Sequence, residues 1–245
     1  MPTITDSVTT PDGSCPVSLH TPEGQGPWNA IVMYPDAGGA RETFREMADR
    51  LAGFGYAVLV PDVYYRDGDW APFSMATVFS DPKERQRLFS MIAKVTPEHM
   101  TSDAGAFFDY LAARPEVRGE SFGTTGYCMG GRTSVIVAGR VPERVVAAMS
   151  FHGGGLVTEE PDSPHLLADR IGAAVYVGGA KDDRAFTKKD AETLEKALSD
   201  AGVEHTIEWY DAMHGFAVPD NGPFDEQAAE KHWAAMRSFF ASHLP

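Results

Sequence analysis

The chain has 245 residues, enough for one α/β domain with a sizeable core. Its 35 acidic against 21 basic residues give a formal net charge of -14 at pH 7, which repels phosphate backbones and anionic lipid surfaces and argues against a nucleic-acid role or a membrane partner. No apolar run is long enough to span a bilayer, and the start lacks the basic-then-apolar order of a secretory leader, so a cytoplasmic protein is expected. Two cysteines, Cys15 and Cys128, are too few for a disulfide framework.

In chain order, residues Thr3 to Thr21 alternate weakly around the turn signal Pro11-Asp12-Gly13-Ser14, which predicts an antiparallel hairpin with Cys15 as a packed or edge residue. Ala30 to Tyr34 is a continuous apolar run, as in a strand covered on both faces. The loop Pro35-Asp36-Ala37-Gly38-Gly39 leads into Phe44, Met47, Ala48 and Leu51, a helical stripe, and Tyr56 to Val60 is the next strand. From Val63 to Ser80 the chain is irregular and aromatic (Tyr64, Tyr65, Trp70, Phe73, Phe79). Together with the helix opened by Asp81-Pro82 it reads as a lid-like insertion over about 63–95, or as rings that merely cover the end of the sheet.

A second helix follows Thr96-Pro97. Strand–helix alternation then resumes with strands at Phe122 to Tyr127, Val145 to Phe151, Ala173 to Val177 and His205 to Tyr210. Helices follow the first of these strands, fill Thr187 to Leu198, and close the chain over Phe224 to Leu244, while Leu156 to Asp169 reads as loop with a short helix. The pattern predicts an α/β fold: a single domain (1–245) built on a mostly parallel, doubly wound sheet with an N-terminal antiparallel hairpin. Its ligand site lies beyond the carboxyl ends of the strands.

The chemistry centres on Gly126-Tyr127-Cys128-Met129-Gly130-Gly131, a strand-to-helix turn with the form of a nucleophile elbow carrying cysteine. Asp182 follows a later strand and His214 the last one, so thiol, carboxylate and imidazole come in the nucleophile–acid–His order of α/β-hydrolases. In that arrangement His214 deprotonates Cys128, and Asp182 fixes the ring and steadies its charge, with Asp183 as competitor for the acid role. Taken singly, a loop Asp is usually a turn former, and a small buried Cys can simply fill a Gly-rich turn. The backbone N–H groups of Met129 and Ala37 are the candidate oxyanion donors. His152, at a strand end beside the elbow, reads as cleft wall. No metal-ligand spacing and no phosphate loop occurs, so neither metal nor cofactor is expected.

These residues resemble the dienelactone hydrolase (carboxymethylenebutenolidase) family, a cysteine branch of the α/β-hydrolases, over Ala30 to the terminal helix. Gly-Tyr-Cys-Met-Gly-Gly is the most specific part, with Asp182 in Gly-Ala-Lys-Asp and His214 in Met-His-Gly-Phe resembling the family's acid and base. The resemblance implies a cysteine hydrolase of small esters or lactones, working through a thioester as monomer or homodimer. The alternative is a non-catalytic ligand-binding or redox-sensing thiol protein on the same scaffold. Pro61-Asp62-Val63-Tyr64 is similar to the family's segment after the next strand and makes Tyr64 a substrate-side candidate. Glu84-Arg85-Gln86-Arg87 resembles a helix whose second Arg holds a substrate carboxylate, which implies that role for Arg87. Two positions depart from the family pattern. Asp36 stands where a Glu commonly holds the resting thiol, and Val218 stands where a second carboxylate-binding Arg is found, which points towards less charged lactones or esters.

Overall fold

The structure is a computed structural model and describes residues 1–244. The hairpin forms as β1 (Thr3–Thr10) and β2 (Gly13–His20), paired antiparallel, with β1 largely exposed at the sheet edge. β3 (Ala30–Tyr34) and β4 (Ala57–Pro61) are buried along their whole length, which is why their sequences are continuous apolar runs rather than alternating ones. Between them runs α1 (Glu42–Ala52). After β4 the aromatic segment makes a 3-10 turn at Tyr65–Asp67 and then α2 (Pro82–Ile92), capped by the Asp81 side chain and with Pro82 in the first turn. α3 (Pro97–Ala112) is capped by Thr96.

The rest alternates as expected: β5 (Phe122–Tyr127), α4 (Met129–Arg140), β6 (Val145–Phe151), β7 (Ala174–Ala180), α5 (Lys188–Asp200), β8 (His205–Tyr210) and α6 (Glu226–His243). A 3-10 helix at Pro164–Arg170 occupies the place of the expected short helix between β6 and β7. No helix among the described residues is long and apolar enough to cross a membrane.

The strands lie in the order β1-β2-β4-β3-β5-β6-β7-β8, and every pair from β4 to β8 is parallel. The alternation of β3 shows how the two layers are filled. Val32 and Tyr34 pack with Phe107, Val135 and Leu194 from α3, α4 and α5, whereas Ile31 and Met33 pack with Phe44 of α1 and Phe240 of α6. The chain leaves β3 towards β4 and returns on the other side as β5. The strand order therefore reverses at β3, and the loops after β3 and β5 splay apart to open a crevice at the carboxyl edge of the sheet.

Candidate active site

Among the described residues three non-glycine residues adopt positive φ, and all three sit at this edge: Cys128 (54°) after β5, His152 (38°) after β6 and Asp182 (53°) after β7. Such backbone strain in L-residues persists only where the surroundings fix it, and it marks functional loops. At Cys128 the fixing is visible. Its N–H donates to the Phe151 carbonyl at 3.0 Å, and its own carbonyl accepts from the Arg132 N–H at 3.2 Å. The flanking glycines make room for so sharp a turn. A Cβ on Gly126 would lie 2.0 Å from the Gly130 carbonyl oxygen, and one on Gly130 would lie 2.2 Å from that of Tyr34. The elbow is thus pressed directly against the end of β3.

His214, in the loop after β8, pairs its Nδ1 with Asp183 Oδ2 at 2.7 Å. This corrects the expectation for Asp182. The positive φ at Asp182 turns its side chain out to solvent, and the next residue is the one that turns back, so Asp183 is buried and oriented by accepting from the Ala185 N–H at 2.8 Å. With Nδ1 engaged, Nε2 is the ring nitrogen left to meet the thiol. Burial opposes a charge on His214, but hydrogen bonds from the ring to Asp183 and to Cys128 prevail and raise its pKa to about 10. The arrangement is chemically able to hold a thiolate–imidazolium pair.

His152 is not a wall of the crevice. It is fully buried behind the catalytic candidate, its ring edge-on to His214 at 5.1 Å and to Phe216 at 5.3 Å. Burial, followed by the neighbouring His214 and His232, drives its pKa well below the usual imidazole range, so it is a neutral packing surface for His214.

The loop after β3 is held by a network that sequence reasoning missed. Asp36 accepts from both Nη atoms of Arg41 (2.6 and 3.1 Å), from the Gly38 N–H (2.8 Å) and from Asn221 Nδ2 (3.1 Å). Arg41 also donates to both oxygens of Asp220, at 2.7 and 2.8 Å. Partial burial works against charge on Asp220, yet the Arg41 guanidinium holds its carboxyl below the usual range. Asp36 is therefore committed to Arg41 rather than to the thiol, and the network ties the loop after β3 to the loop that carries His214. The sequence carries no pattern for it, because Asp220 and Asn221 reach Asp36 and Arg41 only where two loops distant in sequence converge.

Tyr64 does not line the cavity at Cys128. Buried, it donates its hydroxyl to the Ala37 carbonyl at 2.8 Å and touches Met129 Sδ at 3.8 Å, so one ring steadies both oxyanion candidates. Trp70 and Phe73 pack beside it.

Cys128, His214 and Ala37 line a cavity of about 280 Å³ whose outer wall is Met75, Phe79 and Pro223. Met75 and Phe79 come from the aromatic segment, of which the sequence named Phe79 but not Met75. A larger open cleft of about 790 Å³ lies on the far side of Asp183, between the ends of β7 and β8, but neither Cys128 nor His214 lines it. Arg87 does not line the Cys128 cavity. Its guanidinium is bound to Glu84 (2.7 Å) and to the Ala71 carbonyl (2.9 Å), and lies 3.8 Å over the Phe73 ring. Val218 is wholly buried in the core beside α6.

A mostly parallel eight-stranded sheet, an elbow after β5, and an imidazole and a carboxylate delivered from the loops after β8 and β7 define an α/β-hydrolase fold. A solved chain from Klebsiella pneumoniae superposes with a TM-score of 0.82 at 24% identity, covering 99% of this chain and 100% of that one, which is a likeness of fold. The dienelactone hydrolase family model matches residues 16–244, and the chain belongs to that family of ester and lactone hydrolases. A carboxymethylenebutenolidase of Rhodococcus opacus is 28% identical over 95% of this chain and 88% of its own length. The structure of a dienelactone hydrolase-like promiscuous phosphotriesterase from metagenomic libraries is similar at 27% identity, with a TM-score of 0.78 and 98% of each chain covered.

Proposed function

We propose that the protein is a thiol hydrolase of small esters or lactones, with Cys128 as nucleophile, His214 as acid–base and Asp183 as the residue that orients His214. The observation that carries this reading is the 2.7 Å His214–Asp183 hydrogen bond on a ring whose other side meets a thiol held at a strained elbow. The Cys128 thiolate attacks the carbonyl carbon, and the resulting oxyanion is held by the N–H groups of Ala37 and Met129. As the carbon–oxygen bond to the alcohol breaks, imidazolium Nε2 gives it a proton and a thioester remains. Water then adds to the thioester carbonyl and loses its proton to His214, and the carbon–sulfur bond breaks to return the thiolate. Met129 is the first residue of α4, so its N–H has no acceptor within the helix and the positive end of the helix favours the developing charge.

Stopped-flow hydrolysis of p-nitrophenyl butyrate tests this reading. A burst close to one equivalent of nitrophenol per Cys128, an acyl adduct on that residue by mass spectrometry, and loss of both in Cys128→Ala are expected. Normally folded Cys128→Ala that retains turnover overturns the mechanism. Absence of turnover accompanied by rapid oxidation of Cys128 favours a thiol sensor instead.

A further inference from the structure

The charge distribution around the cavity goes further than the reaction type. We infer that the site takes uncharged esters and lactones and discriminates against substrates that carry a carboxylate; this rests on the hydrolase reading and names its substrate class.

Among the described residues lining the cavity, His214 is the one side chain able to carry positive charge, and it is already paired with Asp183 and with the thiol. The guanidinium bound to the cavity-lining Asp36, that of Arg41, is enclosed by two carboxylates. The Arg41–Asp36–Asp220 cluster holds one positive against two negative groups, and Asp36 itself forms part of the cavity wall. A substrate carboxylate would meet a net negative cluster with every Arg41 donor direction towards it taken up. Asn221 adds to this field. Its Nδ2 is turned to Asp36, so its Oδ1, buried and without a hydrogen-bond partner, leaves a bare acceptor beneath the same wall.

Other cations near the elbow are directed elsewhere. Neither lines the cavity: Arg132 lies 3.9 Å from Asp162, and Arg87 is held by Glu84 and Phe73. The remaining wall is apolar: Met75, Phe79 and Pro223 offer packing to an acyl chain or a lactone ring and no counter-charge. In a small cavity partly screened from solvent, an uncompensated like charge is strongly disfavoured.

Two matched pairs of probes test the inference. The first compares p-nitrophenyl butyrate with mono-p-nitrophenyl glutarate, which share a leaving group and differ by a carboxylate. Each kcat/KM is divided by the ester's rate with a small free thiol. The neutral ester is expected to lead by about tenfold or more at low ionic strength, with the gap shrinking as salt is added. The second compares alkylation of Cys128 by iodoacetamide and by iodoacetate, again relative to a free thiol, with the modified residue identified by peptide mapping. Iodoacetamide is expected to lead by a similar factor, and this readout needs no turnover. Phe79→Arg, which places a cation on an exposed part of the wall, is expected to narrow both gaps, as is Asp220→Asn.

The inference is overturned if the carboxylate ester is cleaved as fast as the neutral one, if iodoacetate labels Cys128 as fast as iodoacetamide, or if Phe79→Arg leaves both gaps unchanged. If neither ester is cleaved, the hydrolase reading fails, and the alkylation pair still decides the charge preference of the cavity.

Discussion

His214 Nδ1 lies 2.7 Å from Asp183 Oδ2, while Asp182, one residue earlier, is exposed with φ of 53°. Because the two carboxylates are adjacent and chemically identical, substitution separates a role from a location. Asp183→Asn is expected to lower kcat for p-nitrophenyl butyrate by about two to four orders of magnitude, since an amide can stabilise the wrong ring tautomer and cannot support the imidazolium. Asp182→Asn is expected to stay within about twofold, as an exposed carboxylate that makes no hydrogen bond to the His214 ring offers it little. Steady-state kinetics on the two folded variants checks both; a larger loss in Asp182→Asn than in Asp183→Asn would return the role to Asp182.

The same hydrogen bond sets a pH dependence. Burial disfavours the imidazolium of His214, but Asp183 and Cys128 outweigh it and raise its pKa from 6.5 to about 10. A pKa raised on folding means tighter proton binding in the native state, so this stabilisation is complete below about pH 6.5 and is lost as the pH rises through about 10. The urea midpoint of Asp183→Asn should therefore fall below that of the wild type near neutrality and approach it above about pH 10. In activity, kcat/KM should decline on the alkaline side as the proton donor for the leaving alcohol disappears, and Asp183→Asn should move that limb to lower pH. A stability gap that is constant with pH, or an unmoved limb, would contradict the pairing.

How far the sequence reached can be seen at three positions. Cys128 was readable because the elbow needs glycines on both sides, and those glycines stand in a fixed spacing. His214 was readable because strand order places it at the same edge. Asp183 was not separable from Asp182, because the choice between neighbours depends on which of them takes the left-handed backbone, and that is decided by packing after β7. The fold followed from apolar runs and stripes whose periods are set by covering a sheet on both faces. Asp36, Arg41, Asp220 and Asn221 left no such pattern: they meet because two loops distant in sequence converge, and a contact between loops has no period. Arg87 shows the converse, a residue marked by resemblance whose partners in this chain lie in its own helix and in the adjoining aromatic segment.

Arg87 therefore gives a sharp negative expectation. Its guanidinium stacks on Phe73 and bonds to Glu84 and the Ala71 carbonyl, away from the cavity wall. Arg87→Ala should lower stability by about 1 kcal/mol through the lost stacking while leaving kcat/KM for neutral esters within about twofold. Chemical denaturation and ester kinetics on one preparation separate the two effects. A selective rise in KM for a carboxylate-bearing ester would instead place Arg87 in contact with substrate.

The elbow predicts a different failure. A Cβ at Gly130 would lie 2.2 Å from the Tyr34 carbonyl oxygen and 2.4 Å from that of Pro35, and both are backbone atoms that cannot swing aside. Gly130→Ala must push α4 away from β3 and with it Met129 and Cys128. A loss of stability on the order of 3 kcal/mol or more is expected, together with a fall in kcat in whatever fraction folds. At Gly105 no atom lies within 4 Å of the added Cβ, so Gly105→Ala in α3 should be neutral or slightly stabilising, as the better helix former. Thermal unfolding of the two proteins tests the contrast, and similar losses would remove the case for a close approach at the elbow.

Arg41 joins the loop after β3 to the loop after β8 through two carboxylates, so removing it leaves Asp36 buried with its strongest donors gone. Breaking a buried pair in this way costs about 3–5 kcal/mol, much of it the penalty of the stranded charge rather than the net value of the pair. Arg41→Met should thus be severely destabilised, and Asp36→Asn in the same chain should recover part of the loss, because an amide is easier to bury than an unpaired carboxylate. Activity should recover less than stability. The repaired protein can bury its loop, but it still lacks the bridge that sets Ala37 against the His214 loop, so kcat should remain low while KM stays near that of the wild type. A double-mutant cycle read by both urea denaturation and kcat distinguishes this from a purely structural role, for which activity and stability would return together.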